Sequence, residues 1–196
     1  VGVVDRKAIL DGSKVKKGDV LVGLPSTGLH TNGYSLARQV LLDDPGFSPD
    51  DVIPELGCSV GEELLKIHRC YVHEVSPLVD KKLVHAMAHI TGGGLTDNLP
   101  RVLPDGLQAD IKVGAWEIPP VYRVLFERGE VPEDDLWRTF NMGVGMVLVV
   151  PKKKIAKVLE HLSDAGCKGF PMGTISKGDA GVEYDHPPEG FPSGLR

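Results

Sequence analysis

The sequence predicts a single α+β domain, a mixed β-sheet with helices packed on it. Two observations carry this. Strand-type and helix-type segments interleave along the 196 residues with no repeat of fixed period. The composition, 41% hydrophobic and 25% charged, is that of a chain able to bury a core.

Val1 to Ile9 reads as a strand or its exit, cut from a longer protein. Val20 to Leu24 is a five-residue apolar run closed by Pro25, the pattern of a buried strand. A loop to Gly33 leads into a helix marked by Tyr34, Leu36, Ala37, Val40 and Leu41, with Thr31 or Asn32 as its cap. Asp43 to Leu56, with three prolines, reads as an exposed connection. Ser59-Val-Gly-Glu62 has capping-box spacing and opens a helix over about 60–70, continued by Val72 to Val79 with Pro77 as a kink. Val84 to Ile90 alternates as a strand, and Leu95 to Val102 is a short helix interrupted at Pro100. Leu107 to Val113 is a further strand. Pro119-Pro120 starts a helix that Gly129 ends, and Pro132-Glu-Asp-Asp135 starts the next, with acids at the positive end of its dipole. Met146 to Val150 is a strand, Lys152 to Ala165 an amphipathic helix, and Phe170 to Ser176 a last strand. The domain is expected to span 1–177, with 178–196 a polar Gly/Pro-rich tail.

Composition narrows the function. With 22 basic and 27 acidic residues the net charge is −5, which argues against sequence-independent nucleic-acid binding. No apolar run approaches the roughly 20 residues of a membrane span. Cys58, Cys70 and Cys167 form no pair motif, which points to a reducing cytoplasm. No histidine–cysteine–carboxylate spacing suggests a metal site; His68, His73 and His85 are assigned to surface or core.

Chemistry is expected in three Gly-bearing loops. The first, Leu24 to Gly33, offers Ser26, Thr27, His30 and Asn32 before a helix N-terminus, a combination that suits a phosphate and also suits an ordinary strand-to-helix turn. The second, His89-Ile-Thr91-Gly92-Gly93-Gly94, places three consecutive glycines after a histidine. Such a run is costly to order and is best explained by backbone N–H groups converging on an anion; a tight turn beside a core histidine is the plain alternative. The third, Phe140-Asn141-Met-Gly143-Val-Gly145, fits a loop wall or a close strand crossing. Neither a Walker loop nor a Gly-x-Ser-x-Gly elbow is present.

Several long motifs in order, Asp11 to Leu24, Ser26 to Arg38, Val84 to Leu95, Asn98 to Pro104 and Arg138 to Met146, resemble the C-terminal half of the phosphoribosylformylglycinamidine cyclo-ligase (aminoimidazole ribonucleotide synthetase) family. The likeness runs from about Val1 to Ile175. It implies ATP- and Mg2+-dependent ring closure of formylglycinamidine ribonucleotide to aminoimidazole ribonucleotide in purine biosynthesis. It also implies an N-terminal domain that holds most of the ATP and Mg2+ and makes the complete protein a homodimer. By the same resemblance His89 is the catalytic candidate. Ser26, Thr27, His30, Asn32, Thr91, Gly92, Gly93, Gly94, Asn141, Gly143 and Gly145 are substrate or phosphate contacts, and no metal ligand is expected. The sequence departs from the family pattern at Pro25, Thr27, Asp97 (usually Glu) and Met142 (usually Cys), the last arguing against an essential thiol. The alternatives are a non-catalytic phosphate-binding fragment, or another superfamily member of the selenophosphate synthetase, thiamine-phosphate kinase, hydrogenase maturation or formylglycinamidine ribonucleotide synthetase type.

Overall fold

The computed structural model describes residues 3–43, 46–179 and 181–185. Its centre is β1 (Val20–Pro25), an uninterrupted apolar run because both of its faces are covered. Val20, Val22 and Leu24 point to one side and Leu21 to the other, as the period-2 pleat requires. β1 pairs antiparallel with β6 (Val144–Val150) on one edge and with β7 (Phe170–Lys177) on the other. Outside β6 lies β4 (Ala86–His89). Outside β7 lies β5 (Leu107–Lys112), and β8 (Val182–Asp185) adds the one parallel pairing among the described strands. The six-stranded sheet therefore runs β4-β6-β1-β7-β5-β8.

Helices cover both faces. On one side α3 (Val72–Asp80) and α7 (Ile155–Asp164) bring Val75, Leu78, Val158 and Leu162 onto Val22, Leu148 and Val150. On the other, α1 (Tyr34–Arg38), α4 (Gly94–Asn98), α5 (Pro120–Gly129) and α6 (Glu133–Thr139) pack Ala37, Leu95, Val121, Leu125 and Leu136 over Leu21, Val147, Val149 and Ile111. The expected mixed sheet with packed helices is what the chain forms.

Five expectations are corrected, the last of them the helix over 60–70. No strand forms over residues 3–9, where Arg6–Ala8 make a 3-10 turn; Val1 and Gly2 lie outside the described residues. The first helix is not capped by Thr31 or Asn32: Gly33 occupies the cap with φ 73°, and a π turn, Gln39–Asp43, extends the helix. The proline-bearing connection holds a small hairpin, β2 (Val52–Ile53) with β3 (Cys58–Ser59). The expected tail contributes β8, so the domain reaches Asp185; 186–196 lie outside the described residues.

The helix expected over 60–70 is α2 (Val60–Leu64) alone. Its capping box is present, Ser59 accepting the Glu62 amide at 3.2 Å and Glu62 accepting the Ser59 amide at 2.8 Å. It stops early because side chains from elsewhere take the carbonyls that further turns would use. Tyr34 Oη donates to the Leu64 carbonyl and Thr27 Oγ1 to the Ile67 carbonyl, both at 2.6 Å. Residues 65–71 then run without helix toward α3.

Candidate active site

The antiparallel ladder decides where the site lies. Pro25, at the end of β1, faces Val144 at the start of β6, and His89, at the end of β4, faces Met146. The three Gly-bearing loops therefore leave the sheet at one end, and the 65–71 segment reaches the same place.

The first loop folds over a buried histidine. His30 is 3% exposed and holds φ 57°, a left-handed conformation uncommon outside glycine. The Thr27 amide donates to His30 Nε2 at 3.1 Å, so the ring proton of neutral His30 sits on Nδ1, a buried atom with no partner. Burial, then the neighbouring His68, His89 and Arg69 charges, lower its pKa to about 4. Ser26 donates to Asn141 and Thr27 to Ile67, so both hydroxyl protons are engaged within the protein. Asn32 extends to the second loop, its Oδ1 near Gly92, and its buried Nδ2 carries hydrogens without a partner.

The second loop is held from beneath. Asn98 Nδ2 donates to the carbonyls of Thr91, Gly92 and Gly94 at 3.3, 3.2 and 2.8 Å, and its Oδ1 accepts from Thr91 Oγ1 at 3.2 Å. Gly94, at φ 58°, lies against the Trp137 carbonyl, where a Cβ has no room. Thr91, Gly92 and Gly93 are left presented outward by a loop that one buried amide has fixed. His89 stands at the open end of β4, exposed, its pKa lowered by desolvation and then by His68.

In the third loop Asn141 is fully buried and joins the first loop to β6. Its Oδ1 accepts from Ser26 Oγ, Tyr122 Oη and the Gly143 amide, and its Nδ2 donates to the Gly28 carbonyl, all at 2.8–2.9 Å. Asn141 thus positions the loops, where the sequence reading makes it a contact. Gly143, at φ 91°, turns the chain into β6. A Cβ on Gly145 would run into Tyr71 Oη, so this glycine lets Tyr71 and His30 lie against the strand.

Two participants escape the sequence reading. Tyr71 donates to the Pro25 carbonyl at 2.9 Å, with its ring 6.2 Å from His30 and 6.3 Å from His89. His68, read as surface or core, stacks on His30 at 4.0 Å between centroids, and its Nε2 lies 3.2 Å from His89 Nε2. The spacing in the sequence suggests no metal cluster, yet the fold brings three separated histidines together: His30, His68 and His89 each offer a ring nitrogen within 4.8 Å of the other two. His85 stands apart, paired at 2.6 Å with buried Asp19.

The donor set is imidazole, amide, hydroxyl and backbone. Nearby cations are already matched, Lys66 to Glu63 at 2.6 Å and Arg69 to Glu74 at 2.9 Å. Among the described residues the group of three or more possible ligands at these loops is all histidine, and the carboxylates beside them, Glu63 at Gly28 and Asp97 at Gly93, stand at separate loops, so these residues do not fit Mg2+. What the arrangement brings together is neutral polar groups, the Asn32 amide, the backbone of Thr91–Gly93 and the imidazole of His89, at one end of the sheet.

The family model described as AIR synthase related protein, C-terminal domain, matches residues 16–186. A phosphoribosylformylglycinamidine cyclo-ligase of Citrifermentans bemidjiense is 48% identical over 183 residues, 93% of this chain and 53% of that protein. One of Desulfotalea psychrophila is 45% identical over 176 residues, 90% of this chain and 49% of that protein. The chain spans about half the length of the curated relatives it matches. Among solved structures, thiamine-monophosphate kinase from Stenotrophomonas maltophilia K279a superposes with a TM-score of 0.62 at 15% identity, over 93% of this chain and 54% of that one. PurL of T. maritima, complexed with FGAR, gives 0.55 at 15%, over 90% and 27%. At these identities the structural likeness concerns the fold.

Proposed function

This chain belongs to the AIR synthase related protein C-terminal domain family, and from that membership we propose that it forms the substrate-facing half of an ATP-dependent cyclo-ligase. The enzyme closes formylglycinamidine ribonucleotide to aminoimidazole ribonucleotide, with release of ADP and phosphate. The observation that carries the reading is 48% identity over nearly the whole chain to a protein named as that cyclo-ligase. The three converging loops support it as a place for a phosphorylated ligand.

In this reading ATP phosphorylates the formyl oxygen, the amidine nitrogen attacks the same carbon, and phosphate leaves with that oxygen. Such chemistry rests on positioning and charge stabilisation. Asn32 Nδ2 and the backbone of Thr91–Gly93 bind phosphate oxygens. His89, held neutral, accepts a proton from the attacking nitrogen and, as the imidazolium so formed, returns it to the departing phosphate. Ser26, Asn141, Gly143 and Gly145 fix the wall, and Thr27 and His30 hold the first loop in shape.

An amino-terminal half supplies the ATP site and its metal, and dimerises. Leu65 and Ile67, 81% and 86% exposed beside the site, are the apolar surface such a half would cover. The described cysteines are unpaired, in keeping with the cytoplasm. No helix among the described residues is long and apolar enough to cross a membrane.

The test is ADP release with Mg-ATP and formylglycinamidine ribonucleotide. This chain alone is expected to turn nothing over, and adding a family amino-terminal half is expected to restore activity. In the restored enzyme His89→Ala should lower kcat by about 100-fold or more. Normal turnover by that variant refutes the role of His89. ADP release supported by thiamine phosphate or selenide, but not by the ribonucleotide, refutes the reading as a whole.

A further inference from the structure

His68 is the residue that the proposed reaction does not use. It reaches the site because α2 ends at Leu64, and it lies between the other two histidines, stacked on His30 and edge-tilted toward His89 with ring centroids 5.3 Å apart. The 3.2 Å separation of His68 Nε2 and His89 Nε2 is close to the span of two ligand nitrogens on one tetrahedral ion. With Zn–N bonds of about 2.0–2.1 Å, that span is about 3.3–3.4 Å. We propose that His30, His68 and His89 form a binding site for a borderline divalent transition metal ion of the Zn2+, Co2+ or Ni2+ class.

The chemistry of each ring fits this role unequally. An imidazole binds a metal ion through the lone pair of one nitrogen while the other keeps its proton. His68 Nδ1 lies 3.5 Å from Thr31 Oγ1, an acceptor for that proton, which leaves Nε2 for the ion. His89 is exposed and contributes Nε2 directly. Without an ion, one proton must lie between these two facing nitrogens; metal binding replaces that contact and leaves each ring its Nδ1 proton. His30 has its proton on Nδ1, so it joins through Nε2, giving up the Thr27 amide bond and turning out of its 17° stack on His68 to point that nitrogen at the ion. It is the weakest of the three ligands. Three neutral imidazoles leave the ion its full double positive charge and a fourth position open to solvent or an anionic oxygen. Nitrogen donors select this class over Mg2+ and Ca2+, which require oxygen.

The site stands on its own geometry. One consequence rests on the cyclo-ligase reading: an ion on His89 Nε2 removes the lone pair that His89 uses there, so the metal inhibits turnover. Binding is therefore tested on the full chain without any assay of activity, and failure of either idea is visible separately. The chain, cleared of metal with a chelator, is titrated with Zn2+ by calorimetry and with Co2+ by visible absorption. One equivalent is expected to bind saturably, with the intense d–d bands of tetrahedral Co2+ and no thiolate charge-transfer band. His68→Ala and His89→Ala should each weaken binding by roughly ten-fold or more, and His30→Gln by less. Circular dichroism on each variant checks that it is folded, and His68, on a loop segment, is the substitution the fold tolerates best. The proposal is overturned by any of three results: no saturable binding, unchanged affinity in folded His68→Ala, or a thiolate band, which would assign the ion to Cys58 or Cys70.

Discussion

Asn141 makes four hydrogen bonds from a site with no exposure, and the groups it satisfies, Tyr122 Oη, the Gly143 amide, the Gly28 carbonyl and Ser26 Oγ, belong to three separate segments. Removing it strands several buried polar groups at once. Asn141→Ala is expected to lower stability by about 3–4 kcal/mol, read as a shift in urea midpoint at constant slope. His30 gives a pH signature. Its folded pKa of about 4 lies below the ordinary value of 6.5, so between these the unfolded chain binds the extra proton. Stability should rise with pH across this window and fall as pH drops from 6.5 toward 4, by up to about 3 kcal/mol from this group. His30→Gln should flatten that slope in urea melts at pH 5 and pH 7. Sequence reading singles out both residues as contacts with a ligand. It has no means of seeing that Asn141 is turned inward, because its partners Gly28 and Tyr122 lie 113 and 19 positions away.

At the scale of elements, local signals were sound wherever local bonds decide the outcome. The Ser59–Glu62 capping box forms as spaced, and Ser59→Ala should cost about 1 kcal/mol, measurable by thermal or urea unfolding. The continuous apolar run of β1 and the alternation of β4 both appear as read. Elements are misread where distant groups intervene. The apolar positions Leu64 and Ile67 continue the stripe of α2, yet Tyr34 and Thr27 claim the carbonyls there and open the segment that carries His68. Likewise β8 has only four residues of half-buried alternation, and it forms because the edge of β5 is there to pair with.

For the whole molecule, the fold class is legible because interleaved apolar runs admit few layered arrangements. Strand order is not, since it depends on which edges meet. The far edge shows this: Tyr184 in β8 hydrogen-bonds Thr96 at 2.8 Å and packs on Trp137, tying the chain end to α4 and α6. Ending the chain at Lys177 is therefore expected to lower the melting temperature by several degrees while leaving a folded core, measurable by calorimetry. Loss of all cooperative melting would show that β8 is integral to the core and not an edge.

The sheet order also sets a schedule for the chain. Val20 pairs with Val150, and the three loops of the site come from near residues 30, 90 and 141. The contacts that join the first loop to the third, Ser26 and Gly28 with Asn141, thus span more than half of the sequence and bear a loop-closure cost before they are rewarded. Until β6 has formed, β1 and β4 have no common neighbour, and their loops have nothing to converge on. A growing or partly unfolded chain that lacks β6 therefore carries no assembled site: the three loops meet only once that strand lies between β1 and β4.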